Sequence, residues 1–128
     1  MNRAMLETYL EHFNNKRYEQ QASFYAPDVV FELPSLTLRG PGAIIDLYKE
    51  FHPHVRERVE IADLIIGDNK MFVVLPSRFD VIMDFKKYGL NFEAGKRYDI
   101  VSFIFYELEN DKFKRIRSAR QSAKVSDL

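Results

Sequence analysis

Cysteine is missing from this sequence altogether. That excludes disulfides, thiol nucleophiles and thiolate metal ligands. An excess of charge of either sign is missing as well. Nineteen Lys and Arg stand against nineteen Asp and Glu, a balance that argues against nucleic acid or a membrane surface as partner. No apolar run approaches the roughly 20 residues of a membrane helix, and the opening MNRAMLETYLEHFNNK is too charged for a secretory signal. The expectation is a cytoplasmic protein. With no repeat, low-complexity tract or linker, the chain reads as one domain over residues 1–128.

What is present in quantity is apolar and aromatic: 46% hydrophobic and 14% aromatic residues, enough for a substantial core. The densest stretch is Arg97 to Leu108, RYDIVSFIFYEL. Its β-branched and aromatic run, bounded by Gly95-Lys96 and Glu109-Asn110-Asp111, predicts a strand buried on both faces. Ser102 is the one small polar residue in its middle, so the space opposite that hydroxyl is the first place to look for function.

Upstream, Met5, Leu6, Tyr9, Leu10 and Phe13 share one helical stripe. A short second helix is expected from Tyr18 to Tyr25, ended by Pro27. DVVFELP reads as a strand, and Arg39-Gly40-Pro41-Gly42 as the turn into a third helix that ends at His52-Pro53. Strands follow over Val55–Ile66 and Lys70–Lys86, the second bending near Pro76. KKYGLNFEAG reads as a long hairpin connection. Asn110-Asp111 makes a tight turn into a last strand, Phe113–Gln121, before a tail, SAKVSDL, expected to fray. Helices gathered at one end of a mixed or antiparallel sheet give an α+β architecture. A strongly curved sheet wrapped around the N-terminal helix would form a cone-shaped barrel with a cavity inside.

The stretches FYAPDVVFELP, LRGPGAIIDLY and GKRYDIVSFIFYELENDKFKRIRSA together resemble the nuclear transport factor 2-like superfamily. Its members include ketosteroid isomerases, scytalone dehydratases, limonene epoxide hydrolases and SnoaL-like polyketide cyclases, all with a cystatin-like cone fold. The resemblance covers nearly the whole chain and implies the fold far more than the chemistry. Compared with ketosteroid isomerase, Tyr9, Tyr25 and Tyr48 fall where three helix-borne tyrosines form a hydrogen-bonded network. That likeness implies Tyr9 as the phenol facing a substrate carbonyl, with Tyr25 and Tyr48 behind it. The isomerase's base position holds Leu33, and its second oxyanion donor corresponds to Ser102. The positions of the other relatives' catalytic groups hold Val59, Ser102 and Ser118, and the Arg-x-Asp of limonene epoxide hydrolase reappears as Arg78-Phe79-Asp80, turned by strand parity to the outer face.

The expected site is therefore an apolar pocket for a small hydrophobic molecule bearing a carbonyl or hydroxyl. Tyr9 and Ser102 would be the polar anchors and the candidate catalytic pair. Phe13, Tyr25, Phe31, Leu33, Tyr48, Phe79 and Ile104 would surround the ligand, with Ser118 and Arg120 near the mouth. As an enzyme it would be an isomerase, dehydratase or cyclase working without a metal or cofactor and lacking the usual carboxylates. His12 is placed beside its helix stripe, and His52 and His54 on an exposed turn where a histidine suits the helix dipole. Arg56-Glu57-Arg58 reads as a solvated strand face. The alternative is a non-catalytic association module, a homodimer burying the face that carries Val101, Phe103 and Phe105.

Overall fold

The computed structural model describes residues 1–128. Helix α1 (Arg3–Asn14) starts where the Asn2 side chain accepts a hydrogen bond from the Met5 amide, satisfying a first-turn donor that has no partner within the helix. It buries Leu6, Tyr9, Leu10 and Phe13. Helix α2 is short (Tyr18–Ala22), and α3 (Pro41–Phe51) begins on a proline and buries Ile44, Ile45, Leu47 and Phe51. Gly40, at φ 85°, turns the chain into α3 in a conformation that favours glycine.

The strands are β1 (Tyr25–Leu33), β2 (Leu36–Arg39), β3 (Val55–Val59), β4 (Asp63–Gly67) and β5 (Lys70–Val81), followed by β6 (Phe85–Lys87), β7 (Leu90–Phe92), β8 (Lys96–Glu109) and β9 (Lys112–Asp127). The main sheet runs β2-β1-β9-β8-β5-β3, with β4 sharing the edge of β5, while β6 and β7 form a separate hairpin. β1 lies parallel to β9 and every other pairing is antiparallel. This mixed sheet curls into a half-barrel against the helices, giving the expected α+β cone. No helix is long and apolar enough to cross a membrane.

Several local expectations are corrected. Tyr25 belongs to β1, not to the second helix, and Pro27 sits inside that strand. Residues 55–66 divide into β3 and β4, both on β5. The split falls opposite Pro76, whose carbonyl accepts from the Glu60 amide. Its nitrogen faces the same edge and has no hydrogen to offer, so the neighbouring chain detours there. β5 ends at Val81, and KKYGLNFEAG is not a plain connection but the β6–β7 hairpin, with Tyr88 and Gly89 at positive φ. The strand around Ser102 is central but not buried on both faces: Ile100, Ile104 and Tyr106 point inward while Phe103 remains 36% exposed. The tail does not fray, because β9 continues to Asp127 along Lys96–Val101 of β8. The Asn110-Asp111 turn is as expected, both residues at positive φ.

Candidate functional site

Two apolar clusters fill the cone. One is built on Leu6, Val29, Met71, Val73, Phe113 and their neighbours, the other on Phe51, Val55, Val81, Phe85, Phe92 and Ile100. Between them the interior is hollow. An inner compartment of about 120 Å³ is lined by α1, α3 and the concave face of the sheet. An outer one of about 110 Å³ continues past Pro34, Leu90 and Phe92 to Arg120. The two share Leu33, Tyr48, Glu57, Phe79, Ser102 and Ser118, so they adjoin. A larger depression, about 340 Å³, lies around Arg58, Arg78 and Asp99. It is open and charged, and its Arg78 is already paired to Asp99 at 2.8 Å.

The sheet explains the polar band of this hollow. Ser77 on β5, Ser102 on β8 and Ser118 on β9 all fall on the inward parity of their strands, and all three line the inner compartment. The expected wall residues Phe13, Phe31, Leu33, Tyr48, Phe79 and Ile104 are brought together there, as is Tyr9. Arg120 reaches only the outer compartment.

The tyrosines are arranged differently from the network the resemblance implied. The hydroxyls of Tyr9 and Tyr25 lie 2.7 Å apart, and the Gln21 amide donates to Tyr25 at 2.8 Å. Tyr25 therefore stands behind Tyr9 as expected. Tyr48 does not join them. Its ring stacks on His52, with centroids 5.3 Å apart, and its hydroxyl makes no side-chain hydrogen bond. Tyr106, on the inward parity of β8, is a further phenol of the hollow that makes none. Burial pushes all four phenols up, Tyr25 to about 12 despite the opposing bonds to Tyr9 and Gln21. At neutral pH they are donors. Tyr9 is engaged by its neighbour, whereas Tyr48 and Tyr106 are free to serve a ligand.

The residue that sequence reading missed is Glu57. It lies on β3 between Val55 and Val59, which are both buried, so strand alternation turns it inward with them while Arg56 and Arg58 point out. Its side chain is only 9% exposed and lines both compartments. Burial raises its pKa, and the hydrogen bond from His52 only partly offsets that. His52 is also not where it was expected. It is 3% exposed, with Nε2 3.2 Å from Glu57 Oε1 and Nδ1 2.9 Å from the Tyr18 hydroxyl. The rings of Tyr18 and Tyr48 stack against it and Phe13 meets it edge-on. The signal was present in the alternation VRERV, which two flanking arginines made look like an exposed face. His12, by contrast, lies outside the hollow and accepts from Arg17 Nε at 2.9 Å.

Chemically, the hollow offers neutral donors and one carboxylate inside an aromatic wall, a set suited to holding a carbonyl or hydroxyl group and to moving protons. Solved structures with the same architecture include a SnoaL-like polyketide cyclase of Agrobacterium tumefaciens. It is 18% identical, with a TM-score of 0.74 over 91% of this chain and 88% of that one. An LEH-like epoxide hydrolase of M. tuberculosis is 12% identical, with a TM-score of 0.73 over 91% of this chain and 79% of that one. A Catenulispora acidiphila protein with a ketosteroid isomerase-like fold, in complex with trimethylamine, is 6% identical with a TM-score of 0.75 over 93% and 86%. At such identities these likenesses show the fold. No curated protein matches the sequence. Residues 6–116 match the SnoaL-like domain, and the chain belongs to that family.

Proposed function

We propose that the hollow binds a small, mostly apolar molecule carrying a carbonyl or hydroxyl group, and that the protein is an isomerase, dehydratase or cyclase acting on it. The observation that carries this reading is the pair of adjoining compartments, both lined by Tyr48, Glu57, Ser102 and Ser118 between apolar walls. A hydroxyl held among such residues costs free energy unless something accepts its bond, and a ligand carbonyl would. Family membership supports the reading, as do neighbours described as a polyketide cyclase and an epoxide hydrolase. The resemblance implies that Leu33, Ser102 and Ser118 stand where related enzymes carry carboxylates, but the hollow is not without one, since Glu57 enters from β3. A thermal-shift series of cyclic ketones and phenols tests the proposal. Ligands of this class should raise the melting temperature, because binding to the folded state alone stabilises it. Their failure to do so across the series would rule it out.

A second reading, a homodimer formed through the outer sheet face, is favoured by one observation. Phe72 and Phe103 lie there with ring centroids 5.5 Å apart, beside the partly exposed Val101 and Phe105. Such a patch is usually covered. Sedimentation equilibrium checks it, with a monomer at micromolar concentration counting against association through this face.

A further inference from the structure

We propose that Glu57 is the acid–base group of the hollow: its cavity-facing oxygen takes a proton from carbon beside a bound carbonyl and returns it, while His52 holds its other oxygen in place. This rests on the reading that the hollow binds a carbonyl compound, and it assigns the chemistry to a β3 residue instead of the positions the resemblance points to, Leu33, Ser102 and Ser118.

The geometry divides the carboxylate. Oε1 is fixed by His52 Nε2 at 3.2 Å, whereas Oε2 has no protein partner and belongs to a side chain that lines both compartments. His52 is a firm support because both its nitrogens are bonded and two aromatic rings stack on it. The groups that face Glu57 are Tyr48 from α3 and His52 capping its C-terminal end, Tyr18 from α2 and, across the hollow, Tyr9, Tyr106 and the more distant Arg120. β5 contributes Phe79 directly opposite, with no charge. No lysine or arginine lines the inner compartment, so His52 is the one basic group beside the carboxylate. Burial leaves it a stronger base than a surface glutamate.

The step balances without any further reactant. The α C–H bond breaks as Oε2–H forms, and the freed electron pair becomes a C=C bond. The carbonyl π pair then moves onto oxygen, where the Tyr48 phenol donates to the oxyanion. When the proton on Oε2 is replaced by deuterium from solvent, return to the same carbon gives exchange. Return to another carbon moves a double bond. Attack of the enolate carbon on a second carbonyl of the same molecule closes a ring: that carbonyl's π pair moves onto its oxygen, which takes the proton from Oε2. The substrate class is a neutral enolisable ketone. A carboxylate deep in the hollow would face Glu57.

The test uses 2-tetralone in D₂O, following loss of its α-proton NMR signal together with its effect on melting temperature. The intact protein should bind it and accelerate exchange. Glu57→Gln should still bind it but exchange about 10²–10⁴-fold more slowly. His52→Asn should move the midpoint of the pH–exchange profile upward, since it removes the bond that lowers Glu57. Should Glu57→Gln not fold, Glu57→Asp keeps the charge and withdraws it from the substrate, and slower exchange is again expected. Binding without acceleration, or undiminished exchange in the Glu57 variants, overturns the acid–base role alone. An unmoved midpoint in His52→Asn overturns the positioning role. Neither binding nor exchange by the intact protein overturns both this proposal and the binding reading beneath it.

Discussion

The two ends of the cone are built on opposite terms. At the closed end, Leu6, Val29, Met71, Val73 and Phe113 are fully buried. Phe113 sits 4.5 Å from the Tyr106 ring and 4.8 Å from that of Tyr9, centroid to centroid. Every surface there meets another, as in any close-packed core. At the open end, Tyr48, Glu57, Ser102 and Ser118 face space instead of each other. One end holds the fold together, and the other is kept incomplete. The lesson is that stability and binding can be disturbed separately in this molecule.

The largest effect is expected at the closed end. Phe113→Ala should cost about 3–5 kcal/mol, seen as a fall in the denaturant midpoint, because a buried ring is removed from surroundings that relax only partly. Next is Tyr25→Phe, which leaves the Gln21 amide without an acceptor; Gln21 Oε1 already lacks a partner. A loss of about 1–3 kcal/mol is expected in the same measurement. Glu57 should then show as a pH effect. Its raised pKa means that the folded state keeps the proton to higher pH than the unfolded chain does. The resulting stability is present below the ordinary glutamate range and lost as pH climbs through the folded value. Glu57→Gln should therefore gain on the wild type as pH rises from acid to neutral, measured as the difference between their melting temperatures. Smallest of all, Ser102→Ala and Ser118→Ala should each change stability by no more than about 0.5 kcal/mol, while weakening the binding of a ketone in calorimetry. A large loss of stability from either serine would break the contrast.

How much of this was legible depended on whether one residue's pattern could speak alone. The α1 stripe, the inward parity of Ser102 and Ser118, and the type of turn at Asn110-Asp111 follow from periodicity and turn chemistry, and the cone came with the resemblance. Tyr25 was misplaced because helical spacing from Tyr18 outweighed the β-branched residues after it. The full length of β9 was hidden because SAKVSDL offers only Ala123, Val125 and Leu128 as apolar side chains, too few to mark a buried face; what orders it is backbone pairing to β8, which side-chain pattern does not record. Glu57 was obscured by its charged neighbours. Its partner His52 comes from the end of a different element, and no local rule brings a helix terminus and a strand interior together.

The last strand has one further consequence. β1 accompanies β9 only as far as Arg117, whereas β8 follows it to Asp127. From Ser118 onward one margin of that strand therefore carries amides and carbonyls with no neighbouring strand. Such a margin is a template on which another polypeptide could crystallise its own backbone, and unguarded ones seed fibrils. Arg120 and Lys124 are spaced along it. Their charge is the guard, and neutralising both would turn a tidy terminus into a nucleus for aggregation.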